Sequence, residues 1–380
     1  MTAAGGPTAG DGPKPTGSAG AEDLILTPAA IADGYAISQR LTRIAIGLGA
    51  GELLMLHAAG LVPRRDGHRG RRAVGIVAAS GTGKTTFCQR LADSFDYLTD
   101  ETLGVEPGSL RVRPYPKPLS LVGRGGRKLD RDPGELGLTA VGADGDPVTL
   151  GAVVIAERVE EGMSLEPLGL AEAIGEVVPQ SSSLYDLAAP LRVLAEVLSL
   201  SGGPWRLRFS DQAECGEVLA ALAAGDVEAA VACAGGAAQG VDDHARSTWR
   251  HHPGGVRDAE ASPGARGDDG TADAQGPALH DEDVLARAPW TDAVESEGMV
   301  ALLSGRQVNV LGGAGAAAWL ACDRPRPLRE IHDAVSRALG EHPDSPALMR
   351  QTLASLLQHR ILRPGSIAGR RVPAVPGEDR

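Results

Sequence analysis

The chain has 380 residues, of which 51 are glycine and 26 are proline, and only 3% are aromatic. A single hydrophobic core usually stops growing below this length, so we expect two domains with unstructured segments between and around them. The net charge of −12 excludes broad electrostatic binding to nucleic acid or to an anionic membrane. Neither a signal peptide nor a membrane-spanning stretch is recognisable, and the four cysteines form no CxxC pair. These features predict a cytoplasmic protein with reduced thiols.

Composition divides the chain into two folded units and three polar segments. Residues 1–22 contain almost no large apolar side chain and are predicted to be a disordered tail. A globular unit is expected over residues 23–234, followed by a disordered linker over 235–280 that has no hydrophobic period. A second small unit is expected over 281–366, and a second disordered tail over 367–380.

Hydrophobic spacing predicts the elements of the first unit in chain order. A helix is expected at "AISQRLTRIAIGLG", and strands at "ELLMLHAAGLV", "RRAVGIVAAS" and "AVVIAERV". They are followed by a helix at "LAAPLRVLAEVLSLSG", a strand at "WRLRFS" and a helix at "AECGEVLAALAAG".

A phosphate-binding loop follows the strand that contains "GIVAAS". The motif G-x-x-x-x-G-K-[ST] is matched from Ala78 to Thr85, with Ala78 in place of the first glycine. Backbone N–H groups in such a loop surround phosphate, and the lysine contacts the β- and γ-phosphates of ATP or GTP while the threonine hydroxyl ligates Mg²⁺. The predicted nucleotide-binding residues are Ser80, Gly81, Thr82, Gly83, Lys84, Thr85 and Thr86, although helix packing also explains Thr86.

An acidic pair follows the next predicted strand, within "FDYLTDE". Asp100 lies only 16 positions after Lys84, and Glu101 comes next. Transport ATPases and recombinase-like motors have their acidic strand far downstream, whereas this short separation is common in kinases that act on discrete acceptors. A solvated turn is the alternative for an acidic pair taken alone. Beside a phosphate-binding loop, the pair predicts metal binding or catalysis.

The segments "MLHAAGLV", "GIVAASGTGKTTFCQRL" and "YLTDETLGV" resemble, in this order, the catalytic domain of HPr kinase/phosphorylase. The resemblance covers about residues 24–234 and implies an α/β P-loop domain of the phosphoenolpyruvate-carboxykinase type. It further implies ATP-dependent transfer of phosphate to a serine hydroxyl, and a homo-oligomer. The chain departs from the family at Ala78 and Glu101 and has no clear copy of the loop that gives phosphorylase activity, so the acceptor is not specified.

Site roles are implied by the same resemblance. Asp100 matches the first aspartate of the family and would be the catalytic base, with Lys84 neutralising charge on the phosphates. Glu101 stands at the position of the second aspartate and would hold Mg²⁺ together with Thr85. His57 matches a histidine beside the family's active site and would orient the acids. A hydrogen-bonded core histidine is the alternative for His57.

Three other segments are given structural interpretations. The basic residues of "RVRPYPKPLSL" are predicted to be solvated charges on an edge strand, with the alternative that Lys117 reaches a phosphate. The segment "QSSSLYD" is predicted to cap the helix that follows it. The segment "LSLSGGPW" only superficially matches the signature of transport ATPases, and we expect its glycines to end a helix.

The second unit resembles the small winged-helix family typified by the peptide chaperone of pyrroloquinoline quinone synthesis. The matching features are a hairpin at "MVALLSGRQVNVL" and helices at "AAAWLA", "LREIHDAVS" and "LLQHRIL". Trp319 and Leu320 are expected in the core. Members of this family bind leader peptides of ribosomally made natural products through a strand edge. A DNA-reading winged helix is the alternative, which the sparse basic residues disfavour.

Together these features predict an ATP-dependent kinase that phosphorylates serine on a peptide or protein delivered by the C-terminal unit. The resemblance suggests a role in maturation of ribosomally made peptides. A competing hypothesis is a nucleotide-gated peptide-binding protein that transfers no phosphate.

Overall fold

A computed structural model of the protein describes residues 34–64, 71–122, 128–142, 145–236, 248–254 and 279–366. Both predicted tails, and most of the predicted linker, lie outside these ranges. The described chain is a mixed α/β fold with several sheets. None of the described helices combines the length and the apolarity that crossing a membrane requires.

The first unit contains the elements predicted from hydrophobic spacing, together with several shorter strands. In chain order they are α1 (Gly34–Gly49), β1 (Leu54–Leu56), β2 (Ala58–Pro63), β3 (Arg71–Val77), α2 (Lys84–Arg90), β4 (Phe95–Thr99), β5 (Leu103–Val105), β6 (Val112–Arg113), β7 (Leu119–Val122), β8 (Lys128–Arg131), β9 (Val148–Arg158), β10 (Met163–Pro167), α3 (Leu170–Val177), β11 (Ser181–Ser182), α4 (Pro190–Leu198), β12 (Trp205–Phe209), α5 (Gly216–Ala224) and α6 (Val227–Cys233).

A six-stranded sheet in the order β10-β12-β9-β3-β2-β4 organises this unit. Strands β12, β9 and β3 are parallel, while β2 runs antiparallel to both β3 and β4. Strands β3 and β4 therefore point the same way, and their carboxyl ends reach the sheet edge at which β2 begins. The phosphate-binding loop follows β3, the acidic pair follows β4, and His57 precedes β2, so this edge brings together the predicted site residues.

Both faces of the sheet are covered, which explains the continuous apolar runs of β3 and β9. On one face, Val74 and Val154 pack with residues of α2 and α5. On the other face, Val77 and Val153 pack with residues of α3 and α4 and with a second sheet, β11-β1-β5-β6. The predicted strand "ELLMLHAAGLV" is divided at His57, where the chain passes from the second sheet into the first.

The second unit contains the predicted hairpin and helices. Its elements, with one strand that precedes them, are β13 (Trp249–Pro253), β14 (Val284–Arg287), β15 (Asp292–Ser296), β16 (Met299–Ser304), β17 (Gln307–Leu311), α7 (Gly313–Ala321), β18 (Arg326–Pro327), α8 (Leu328–Leu339), α9 (Ser345–Gln358) and β19 (Leu362–Pro364). The strands form one sheet in the order β13-β15-β16-β17 and another in the order β18-β14-β19. Trp319 is fully buried in the core that α7, α8 and α9 form, as expected, and Leu320 packs partly buried against it.

Strand β13 corrects the predicted linker, because it lies inside residues 235–280. It pairs antiparallel with β15, from Trp249 opposite Ser296 to Pro253 opposite Asp292. The segment has no hydrophobic period of its own, since its pairing partner lies about forty residues further along the chain. Local pattern therefore could not identify this strand.

The two units share a hydrophobic core. Val294, Ala301 and Leu303 of the C-terminal sheet belong to the same buried cluster as residues of α3 and α4. Asp292, at the start of β15, accepts hydrogen bonds from the backbone N–H groups of Leu191 and Arg192 in the first turn of α4. The C-terminal unit is therefore packed onto the first unit and is not only tethered to it.

The predicted capping role of "QSSSLYD" is wrong. Ser181 and Ser182 pair with β1, and Ser183 makes no capping hydrogen bond with its side chain. Helix α4 begins after Ala189, which also provides no side-chain cap. Ser181 and Ser182 thus belong to a strand and do not cap the helix, as the local sequence had predicted they would. In "LSLSGGPW", α4 ends at Leu198, and the two glycines end the 3₁₀ helix Leu200–Gly202 that follows it.

Candidate functional site

The predicted phosphate-binding loop is an open turn between β3 and α2. Gly81 and Gly83 have φ angles of 87° and 107°, a region that favours glycine. Ala78 is not among the residues with positive φ, so alanine replaces the motif's first glycine without backbone strain. Ser80 and Gly81 are exposed, whereas Thr82, Gly83 and Thr86 are half-buried. The tip of the turn is therefore open to solvent.

Gly83 also leaves room for a side chain that sequence reasoning missed. A Cβ atom at this position would lie 2.7 Å from Nε2 of Gln212, in the turn that follows β12. Nε2 of Gln212 is buried and has no hydrogen-bond partner within the described chain. No local pattern singles out Gln212, because it reaches the loop only through the parallel arrangement of β12 and β3.

The Lys84 side chain points back into the loop. It is only 8% exposed, and its Nζ donates to the carbonyl oxygens of Ala78 at 2.6 Å and Ala79 at 3.4 Å. Burial lowers the pKa of Lys84, and the nearby carboxylates of Asp100 and Glu101 partly offset this effect. An ammonium group is thus held within the turn that would surround phosphate.

A hydrogen bond joins the loop to the acidic pair. The hydroxyl of Thr85 donates to Oδ2 of Asp100 at 2.8 Å, and Asp100 is only 6% exposed. The hydroxyl of Tyr97 donates to the other carboxylate oxygen at 3.2 Å. Burial raises the pKa of Tyr97, and the neighbouring Asp100 raises it further, so this hydroxyl keeps its hydrogen. The predicted metal ligand and the predicted base are therefore in direct contact.

Lys117 occupies the other side of the acidic pair. Its Nζ lies 3.4 Å from Oδ1 of Asp100 and 3.2 Å from Oε2 of Glu101. Burial alone would lower the pKa of Lys117, but the two carboxylates outweigh it and raise the pKa above its usual value. The favoured prediction of a solvated charge is thus wrong for Lys117, whereas Arg113 does form an exposed ion pair with Glu106. In the sequence, this position was marked only by a lysine flanked by prolines. Its two carboxylate partners are shown only by the fold.

His57 contacts the acidic pair through the main chain. Its Nδ1 lies 3.0 Å from the carbonyl oxygen of Glu101, and its backbone N–H donates to Gln180 at 2.6 Å. Burial lowers the pKa of His57, and the nearby ammonium group of Lys84 lowers it further. The ring therefore fixes the backbone of Glu101, while the expected orientation of the acid side chains by His57 stays a prediction.

The donor set suits a magnesium ion that is shared with phosphate. Thr85, Asp100 and Glu101 supply a hydroxyl and two carboxylates, and Thr42 of α1 donates to Oε2 of Glu101 at 3.4 Å. No group of three or more His, Cys, Asp or Glu side chains that could hold a metal occurs in the described parts of the chain. Mg²⁺ at nucleotide sites usually takes one or two carboxylates together with water and phosphate oxygens. The residues present therefore fit Mg²⁺ bound with a nucleotide.

In comparisons with protein-family models, curated proteins and solved structures, the chain has no match.

Proposed function

We propose that the protein is an ATP-dependent kinase, of the HPr kinase type, that transfers phosphate to a serine hydroxyl of a peptide or protein. The hydrogen bond from Thr85 to Asp100 carries this proposal, because it connects the phosphate-binding loop to a buried carboxylate. The hairpin of β2 and β3 that leads into the loop, and His57 at its start, are further features of that type.

In the proposed reaction, three residues act on the phosphates and the metal, and one acts on the acceptor hydroxyl. Lys84 neutralises negative charge on the β- and γ-phosphates, and Thr85 and Glu101 hold Mg²⁺, which supplies positive charge to the same phosphates when bound. Asp100 would accept the proton of the serine hydroxyl as its oxygen bonds to the γ-phosphorus, while the bond from that phosphorus to the bridging oxygen breaks and ADP leaves. Burial strengthens these electrostatic contacts, because water that would screen them is excluded.

The function is tested by incubating the full chain with Mg·ATP and a pooled library of serine-containing peptides. We expect ADP to form only when peptide is added, with one phosphoserine per ADP in the mass spectra. The matched variant Lys84→Met keeps side-chain length but loses the charge, and should weaken Mg·ATP binding about tenfold or more. Thermal shift measures this loss as a smaller stabilisation by nucleotide. Nucleotide binding without acceptor-dependent ADP formation would favour the nucleotide-gated binding protein instead.

We propose β17 as the edge that recruits the acceptor by strand addition. Strand β13 already covers β15 at one side of the C-terminal sheet, and among the described strands β17 pairs with β16 alone. A two-residue turn makes Ser304 and Gln307 the first hydrogen-bonded pair. Alternation along the ladder then turns the backbone N–H and C=O groups of Val308 and Val310 outward. An extended peptide could bond to both residues.

Val308→Pro should raise the KM for a long acceptor about tenfold, with little change in kcat. The substitution removes an outward N–H group from the edge and leaves the bonds between β16 and β17 intact. Val308→Ile retains the N–H group and is the matched control. Steady-state kinetics with a long peptide and with a short acceptor separate docking at β17 from the reaction itself. The KM for the short acceptor should change in neither variant. An unaltered KM for the long peptide in Val308→Pro would refute docking at β17.

A further inference from the structure

Main-chain contacts hold Lys117 in place independently of its charge. The backbone N–H of Lys117 donates to the carbonyl of Tyr115 at 2.9 Å. Its carbonyl oxygen lies 3.0 Å from the Tyr97 hydroxyl, which shares its one hydrogen between this carbonyl and Asp100. Prolines at positions 114, 116 and 118 restrict the backbone of the segment. The side chain is consequently directed into the site, and only 5% of it is exposed.

The ammonium group of Lys117 is the counter-ion of the acidic pair. It lies within ion-pair distance of both Asp100 and Glu101 and also donates to the carbonyl of Pro118 at 3.1 Å. Within the described chain, the bonds of Lys84 go to carbonyl oxygens alone. Two carboxylates are thus faced by two ammonium groups, of which Lys117 is the one that contacts them. Without it, Asp100 would be a buried carboxylate with no cation in contact, which is unfavourable.

Binding of Mg²⁺ to the same carboxylates would change the surroundings of Lys117. A dication held by Glu101 and Thr85 would lie a few ångströms from an ammonium group in a site of low dielectric, where like charges repel strongly. The ammonium group then needs another anion within its reach. The terminal phosphate of a nucleotide bound at Lys84 would enter beside the acidic pair, because Thr85 joins the loop to Asp100.

We propose that Lys117 binds the terminal phosphate of the nucleotide, releasing the Asp100–Glu101 pair when Mg²⁺ binds there. Lys117 is then a second phosphate-directed cation, which approaches from the side opposite the loop. This assignment rests on the proposed nucleotide site, but not on phosphate transfer. The proline-flanked segment would thus contact the γ-phosphate alone, whereas Lys84 of the loop would contact both the β- and the γ-phosphate.

The test compares Mg·ADP with a non-hydrolysable β,γ-imido analogue of Mg·ATP by titration calorimetry. Lys117→Met should weaken binding of the analogue about tenfold or more, the usual loss for a charged contact, and should change ADP binding less than about twofold. Lys117→Arg keeps the charge and should restore preference for the analogue. A structural role alone would weaken both ligands equally, and that result would overturn the proposal.

A second pair of variants covers the case in which Lys117→Met fails to fold. Lys117→Met combined with Glu101→Gln removes an ammonium group and a carboxylate together, and it is compared with Glu101→Gln alone. The difference in analogue affinity between them isolates Lys117, and an equal affinity would again refute its phosphate contact. If wild-type protein binds neither nucleotide, the nucleotide site and this inference both fail. If it binds both without transferring phosphate, only the kinase proposal fails.

Discussion

Asp100→Asn should lower the rate of phosphate transfer by about 10²- to 10⁴-fold, the usual contribution of a general base. The amide has the shape of the carboxylate and can still accept the hydrogen bond that Thr85 donates. It cannot accept the proton of a serine hydroxyl. Single-turnover transfer from radiolabelled ATP measures the effect, and Mg·ATP binding should be largely retained.

Magnesium titration separates the base from a metal ligand, a distinction that the contact between Asp100 and Thr85 makes necessary. A lost base is not replaced by more metal, so the rate of Asp100→Asn should stay low at saturating Mg²⁺. Glu101→Gln is the matched control and should recover part of its rate as Mg²⁺ rises. Recovery of Asp100→Asn by Mg²⁺, or a wild-type rate in that variant, would contradict its assignment as base.

Asp292→Ala should lower the free energy of unfolding by about 3 kcal/mol. The carboxylate is 1% exposed and accepts from the N–H groups of Leu191 at 2.8 Å and Arg192 at 3.3 Å. Its other oxygen lies 2.5 Å from Nε2 of His251 in β13. Alanine would leave the buried N–H of Leu191, and the part-buried donors of Arg192 and His251, without this acceptor at the junction of α4, β13 and β15. Chemical denaturation of the full chain measures the loss.

Glu295→Gln is the control for Asp292→Ala, because Glu295 lies on the same strand and also contacts a histidine. Its carboxylate is 2.9 Å from Nε2 of His252, but its side chain is 23% exposed. Partly solvated pairs contribute little, so this variant should lose about 1 kcal/mol or less. Equal losses of unfolding free energy in the two variants would show that the contacts of Asp292 stabilise the fold no more than a partly exposed pair does.

The sequence predicted which residues the fold brings together at the candidate site. Glycine spacing located the loop, and the strand before Asp100 placed the acidic pair at the same sheet edge. His57 required the family resemblance, since a lone histidine has no informative spacing. The roles assigned to these residues stay predictions, but the fold brings them together.

Contacts between distant segments could not be predicted. The partners of Lys117 are set by tertiary packing, and its flanking prolines suggested an exposed strand. Asp292 lacked any motif, because its donors are about a hundred residues away in the sequence. Strand β13 was hidden for the same reason: a strand at the border of a sheet derives its stability from its partner rather than from its own pattern.

Helix α3 connects the C-terminal sheet to the candidate site over a short length of chain. A Cβ atom at Gly175 would lie 2.8 Å from Cγ2 of Val310. The helix therefore contacts β17 at a glycine, where it has no side chain. Five positions later, Gln180 accepts the backbone N–H of His57. A peptide bound at β17, as proposed, would therefore lie next to the helix whose following turn holds the backbone of His57. Under the proposed function, α3 is the physical connection through which peptide binding at β17 would affect the backbone at His57.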